Sequence, residues 1–130
     1  MVATETARRW LSAMLYSSEA RLSVCPVMMN PDRAVAVAKY PMYRGVASLV
    51  GMAVEGVPDS NEGSVEMLER HFGAYDFYFI HFKDTDSRGH DGDFEGKVAA
   101  IEEVDALLPR ITGLGADVLI VTGDHSTPAL

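Results

Sequence analysis

An α/β fold built on a parallel sheet follows from three features of the 130-residue sequence. The run Phe77-Tyr78-Phe79-Ile80-His81-Phe82 is nearly continuous in aromatic and β-branched residues, the pattern of a strand buried on both faces. Val118-Leu119-Ile120-Val121, the apolar body of Asp117 to Thr122, is a second such run. Between them Phe94, Val98, Ile101, Val104, Leu108 and Ile111 recur at helical spacing to about Thr112, with Gly113 as a stop and Pro109 kinking the last turn. Strand, loop, helix and strand make a βαβ unit, so the two strands lie parallel with the helix packed on the sheet.

The other elements follow from the same periodicities. Trp10, Leu11, Met14 and Leu15 predict one amphipathic helix over about the first twenty residues, capped by Thr4 or Thr6. Pro26, Asn30 and Pro31 mark a loop and a composition seam, and Ala34-Val35-Ala36-Val37-Ala38 is a short strand or buried segment. Pro41 suits a helix start, Met42, Tyr43, Val46, Leu49 and Val50 form its apolar face, and Gly51 closes it. Met52 to Val57 is a strand. After the turn-rich stretch 58–63, the residues Val65, Leu68 and Phe72 give a further helix ended by Gly73.

Composition bounds the function. The excess of 19 Asp and Glu over 11 Lys and Arg gives a net charge of −8, which argues against non-specific binding to nucleic acid or an anionic membrane. No apolar run approaches the roughly twenty residues of a membrane span. Arg8-Arg9 and the short apolar stretch after it lack the pattern of a secretion signal. The single cysteine, Cys25, fits a reducing, cytoplasmic setting as a small buried hydrophobe.

Two polar motifs carry the chemistry. Asp86-Ser87-Arg88-Gly89-His90 lies in the loop expected at 84–93 after the first strand, and Asp124-His125 follows the second. In open parallel sheets ligands gather outside the carboxyl ends of the strands. Asp86 and His90 offer an oxygen and an imidazole at a separation suited to one metal, with Gly89 between them to turn the backbone tightly. Asp124 and His125 are adjacent and diverge on an extended chain, but a turn led by Gly123 lets both reach one cation. Carboxylate with imidazole suits manganese, zinc, cobalt or magnesium. Phosphoryl-transfer enzymes hold two such ions roughly 4 Å apart, one activating the attacking oxygen and one neutralising the leaving oxygen. Taken singly, each motif is better read as an ordinary polar turn. Their recurrence at equivalent ends of successive strands favours a site.

The runs His81 to Lys97, Ile101-Glu102-Glu103-Val104-Asp105 and Thr122-Gly123-Asp124-His125-Ser126-Thr127-Pro128 closely resemble the archaeal-type cofactor-independent phosphoglycerate mutases of the alkaline phosphatase superfamily. The resemblance includes Tyr40-Pro41-Met42-Tyr43-Arg44-Gly45 and Leu49-Val50-Gly51-Met52, and is weak before Ala34. It implies part of a three-layer parallel-sheet sandwich and two divalent metal ions. By the same resemblance Asp86 and His90 match two ligands of one ion, and Asp124 and His125 match two ligands of the other. The implied reaction is a glycolytic isomerisation that moves a phosphoryl group between the 3- and 2-positions of glycerate through an enzyme phosphoserine, with phosphoglycerate as substrate.

The family also uses an aspartate near its N-terminus, a downstream nucleophilic serine and a histidine beyond the Asp-His motif. None of the three is found here, and no catalytic nucleophile is identified, since Ser12, Ser17, Ser18 and Ser23 lack the expected aspartate-glycine context. The expectation is a C-terminal fragment, with residues 1–33 a helix and loop and residues 34–130 a partial metal-binding domain. The alternatives are another phosphohydrolase of the superfamily and a non-catalytic truncated fragment. Sheet edges left by truncation favour self-association.

Several single residues keep two readings. Lys83 and Lys97 each either face an anionic ligand or are solvated. His81 is read as a core residue and His71 as complementing a helix dipole. Arg44 either caps or contacts substrate.

Overall fold

The computed structural model describes residues 33–123 and 125–129. The expected N-terminal helix, the loop through Asn30-Pro31, Cys25 and Asp124 lie outside the described residues.

Three parallel strands, β1 (Ala34–Ala38), β2 (Ala53–Val54) and β3 (Phe77–His81), form a sheet in the order β2-β1-β3. Four helices complete the described fold: α1 (Pro41–Leu49), α2 (Asn61–His71), α3 (Asp84–His90) and α4 (Phe94–Gly113). The architecture is α/β with a parallel sheet, as the sequence predicts.

β1 is the middle strand, and all five of its residues are buried. Its register pairs Val35 with Tyr78 and Val37 with Ile80, while Ala34, Ala36 and Ala38 pair with Phe77, Phe79 and His81. Successive residues point to opposite faces, so each face carries alternate pairs. On the Tyr78–Ile80 face lies the core of Val65, Leu68 and Ile111, with Phe82, Leu107, Leu108 and Leu114 packed around it. This is where α2 and α4 dock. On the other face α1 brings Tyr43 against Phe79 and into a stack with His81 at 3.7 Å between ring centroids. His81 therefore belongs to an aromatic layer.

The helix ends show how local sequence sets the boundaries. Ser60 caps α2 by accepting from Gly63 N at 2.9 Å. At the far end the Tyr78 hydroxyl accepts from Gly73 N and Tyr75 N and donates to the His71 carbonyl, so a strand residue caps the helix. His71, in the last turn of α2, sits where the dipole favours a basic residue. Gly51 and Gly73 take the positive φ that ends α1 and α2, while beyond α4 this role falls to Gly115 instead of Gly113. Arg44 donates to the carbonyls of Ala38 and Lys39, so it caps the carboxyl end of β1. Arg110 forks onto both oxygens of Glu69 at 2.8 and 2.7 Å and fastens α4 to α2. That guanidinium holds the Glu69 carboxyl below its ordinary range.

Several expectations change, and the strand expected over Met52 to Val57 narrows to Ala53–Val54. The segment 84–93 is not a loop: residues 84–90 form α3, with Asp84 and Asp86 in the first turn and Arg88 and His90 in the last, each sign matched to the dipole. Val118 to Val121 form no strand, and they are 45% to 77% exposed, because no ladder partner lies beside them among the described residues. The apolar stripe of α4 is buried only at its C-terminal end, where it meets α2 and β3; Phe94, Val98 and Ile101 are exposed. The face of α1 is likewise open at Met42, Val46 and Leu49.

Leu68, 4% exposed at the centre of the α2–α4 contact, sets the cohesion of that layer. Leu68→Ala is expected to lower the unfolding free energy by about 2–5 kcal/mol, measured by urea denaturation. A loss under about 1 kcal/mol, well below the range for a buried leucine, would mean that this layer is not a packed core.

Candidate metal centre

The helical form of residues 84–90 puts Asp86 and His90 one turn apart on the same face of α3. The Nε2 of His90 stands 3.5 Å from Asp86 Oδ1. The chain returns at 125–129 to place His125 Nε2 3.7 Å from the same oxygen. Thr127 ties the two segments together: its hydroxyl donates to Asp86 Oδ1 at 2.5 Å and lies 3.0 Å from His125 Nδ1.

A hydroxyl has one proton to give. With that proton on Asp86, the contact to His125 needs Nδ1 as the donor, a role that the nearby Ser126 carbonyl, 3.4 Å from Nδ1, also favours. In the neutral imidazole this leaves the lone pair on Nε2, the atom turned toward Asp86. Thr127 thus acts as an outer partner that orients a candidate ligand.

Gly89 explains how the returning segment comes so close. A Cβ built there meets the Thr127 carbonyl, the Thr127 methyl at 2.9 Å and Lys97 Nζ at 3.0 Å. Gly89 has no positive φ, so its role is close approach and not the tight turn expected from the sequence. Lys97 extends from α4 to donate to the Thr127 carbonyl at 2.5 Å, a role outside both of its sequence readings.

Asp86 is only 15% exposed, and Lys83 Nζ forms an ion pair with its Oδ2. The Lys83 ammonium first, then the Thr127 hydroxyl, hold the Asp86 carboxyl down at about 2, against the opposing effect of desolvation. The stabilisation from this folded-state shift is whole above the ordinary aspartate value of 3.8 and is lost as the pH falls through about 2. At neutral pH the group is an anion with a cation already on it.

One carboxylate oxygen and two imidazole nitrogens converge here. For ligands about 2.1 Å from one tetrahedral ion, the ligand-to-ligand edge is about 3.4 Å. Both imidazole nitrogens lie near that distance from Asp86 Oδ1. Among the described residues no group of three or more His, Cys, Asp or Glu is placed to hold a metal ion. Of the four residues singled out by sequence, Asp86, His90 and His125 are brought together and Asp124 lies outside the described residues. The two motifs are not kept apart, since His125 shares an oxygen with His90. Thr127 was missed by sequence reasoning; it stands two residues past His125, but only tertiary contact shows that it faces Asp86.

The parallel α/β fold and this carboxylate–imidazole cluster define a class that the comparisons with known proteins name. A family profile for the metalloenzyme superfamily matches residues 27–130, and the chain belongs to that superfamily. A probable 2,3-bisphosphoglycerate-independent phosphoglycerate mutase of Thermus thermophilus is 57% identical over 98 residues, covering 73% of this chain and 24% of the relative. Proteins of the same printed name from Deinococcus radiodurans and Thermotoga maritima are 52% identical over 100 residues and 51% identical over 96 residues. They cover 75% and 74% of this chain, and 24% of each relative. The chain therefore spans about a quarter of the length of the curated relatives it matches. No solved structure matches it.

Gly89→Ala is expected to push Thr127 off Asp86. The expected cost is about 1–3 kcal/mol in urea unfolding, with amide shifts at His125 and Thr127 larger than those along α4. Unmoved Thr127 resonances would contradict the close approach.

Proposed function

We propose that this chain supplies the metal-binding part of a cofactor-independent phosphoglycerate mutase, with Asp86, His90, Asp124 and His125 as ligands for two divalent cations. The observation that carries the reading is the convergence of His90, His125 and Thr127 on one oxygen of Asp86. The relatives' names supply the substrate class, and a carboxylate–imidazole set suits manganese, zinc, cobalt or magnesium.

When bound, such ions polarise a phosphoryl group and stabilise the charge developing on its attacking and leaving oxygens. The chain's own residues prepare for this. Asp86 is ionised at neutral pH, His125 turns Nε2 toward Asp86 because Thr127 engages Nδ1, and Gly89 with Lys97 fixes the returning segment at bonding distance. Lys83 is the candidate substrate-binding residue, since its ammonium stands beside the proposed metal site. Residues 34–130 are the proposed metal-binding unit and residues 1–33 a separate N-terminal segment, in a cytoplasmic protein. No helix among the described residues is long and apolar enough to cross a membrane.

Calorimetry with manganese is expected to show saturable binding, weakened at least about tenfold by Asp86→Ala or Asp124→Ala, the loss expected when a group at a metal site is removed. Equal affinity in the variants would reject the ligand assignment. Self-association is the further expectation, because the exposed Val118–Val121 stretch offers open apolar surface. Light scattering should give a mass above that of one chain, rising with concentration; a constant monomer mass counts against it.

A further inference from the structure

Lys83 is the residue on which α3 starts. Its carbonyl accepts from Asp86 N at 3.1 Å and from Ser87 N at 3.2 Å, so the first turn of the helix fixes its backbone. Its side chain shares a helix face with Asp86, three residues later. The ammonium is paired with Asp86 Oδ2, and the Tyr40 ring, its centroid 5.5 Å away, covers it from the end of β1. The Lys83 side chain is 24% exposed, so this seat is largely enclosed.

The partners of Asp86 are divided between its two oxygens. Thr127 donates to Oδ1, and the Nε2 atoms of His90 and His125 stand 3.5 and 3.7 Å from that same atom. Lys83 takes Oδ2. A carboxylate oxygen has two lone pairs. One on Oδ1 receives the Thr127 proton, and the other is left for a cation approached by both imidazoles. A carboxylate that binds a metal is commonly hydrogen-bonded by a further partner, and Lys83 is placed to be that partner. Gripping both oxygens would require a cation to expel the ammonium from its seat.

Cations differ in what they ask of a carboxylate. Calcium gathers about six to eight oxygens in flexible geometry and readily takes both from one carboxylate. Smaller divalent ions keep tighter tetrahedral or octahedral shells, in which one oxygen per carboxylate suffices. Repulsion from the Lys83 charge does not separate them, because both kinds of ion carry the same charge and are weakened alike. Occupation of Oδ2 does separate them.

We propose that Lys83 is a specificity-determining residue for the metal: by holding Oδ2 it confines Asp86 to coordination through Oδ1 alone and selects small divalent cations against calcium. The inference rests on the reading of Asp86 as a metal ligand.

Calorimetry of the 130-residue chain with manganese and, separately, with calcium provides the test. The readout is the ratio of the two affinities, which a change of charge leaves in place. Lys83→Met should tighten both cations, and calcium by roughly tenfold more than manganese, the scale on which loss of a ligand's outer partner acts. Lys83→Gln, which removes the charge but keeps a donor within reach of Oδ2, should tighten both equally and retain the parent ratio. A parent ratio in Lys83→Met overturns the proposal, and so does a fall in Lys83→Gln as large as that in Lys83→Met. Should Lys83→Met fail to fold, NMR of the parent chain with isotope-labelled lysine decides. On loading with zinc, the Lys83 ammonium should keep its hydrogen-bonded signal, and its release to solvent overturns the proposal. A parent chain that binds none of these cations rejects the metal reading and this inference with it, whereas binding with an unchanged ratio in Lys83→Met rejects the inference alone.

Discussion

The burial of β1 between two parallel neighbours is the constraint on which the rest of the described structure rests. Its five residues are alternately alanine and valine, and each is within about one percent of complete burial. Small side chains on one face leave room for Phe79, His81 and Tyr43, while the valines on the other continue the layer under α2 and α4. Because both neighbours run parallel to β1, all three strands end at the same edge. Lys39 and Tyr40 follow β1 at that edge, and Lys83, Asp84 and Asp86 follow β3.

At this edge Asp86 joins the fold to the site. It is partly buried and accepts bonds from a lysine before it, a threonine 41 residues later and the approach of two imidazoles. Burying a carboxylate is costly unless it is paired and hydrogen-bonded. The structure meets that demand with Lys83, Thr127 and a glycine that admits the returning backbone. Under the proposed function, a cation reaching Asp86 competes with these same partners.

Much of the fold was legible because its signals are local. Pro41 and Gly51 bound α1, Ser60 and Gly73 bound α2, and the run from Phe77 announced β3 by composition alone. The errors also have physical causes. Residues 84–90 contain serine, glycine and aspartates, which mimic a loop, yet their charges are ordered to suit a helix dipole and an Asp86–His90 pair one turn apart. Val118 to Val121 have strand composition, but a strand exists only with a neighbour to complete its ladder. The stripe on α4 has helical periodicity throughout, and periodicity does not say how far along the helix a partner extends.

The sequence by itself determined the parallel α/β class and the place of Asp86 just past the end of β3, because these depend on residue type and short-range spacing. It also held the resemblance that the superfamily match and the relatives' similarity bear out. Tertiary structure alone decided that His125 and His90 meet on one oxygen, that Thr127 fixes the imidazole, and that Gly89 serves close approach. Each of these joins segments far apart in the chain, and such meetings are set by how helices and strands pack and not by what any local stretch prefers.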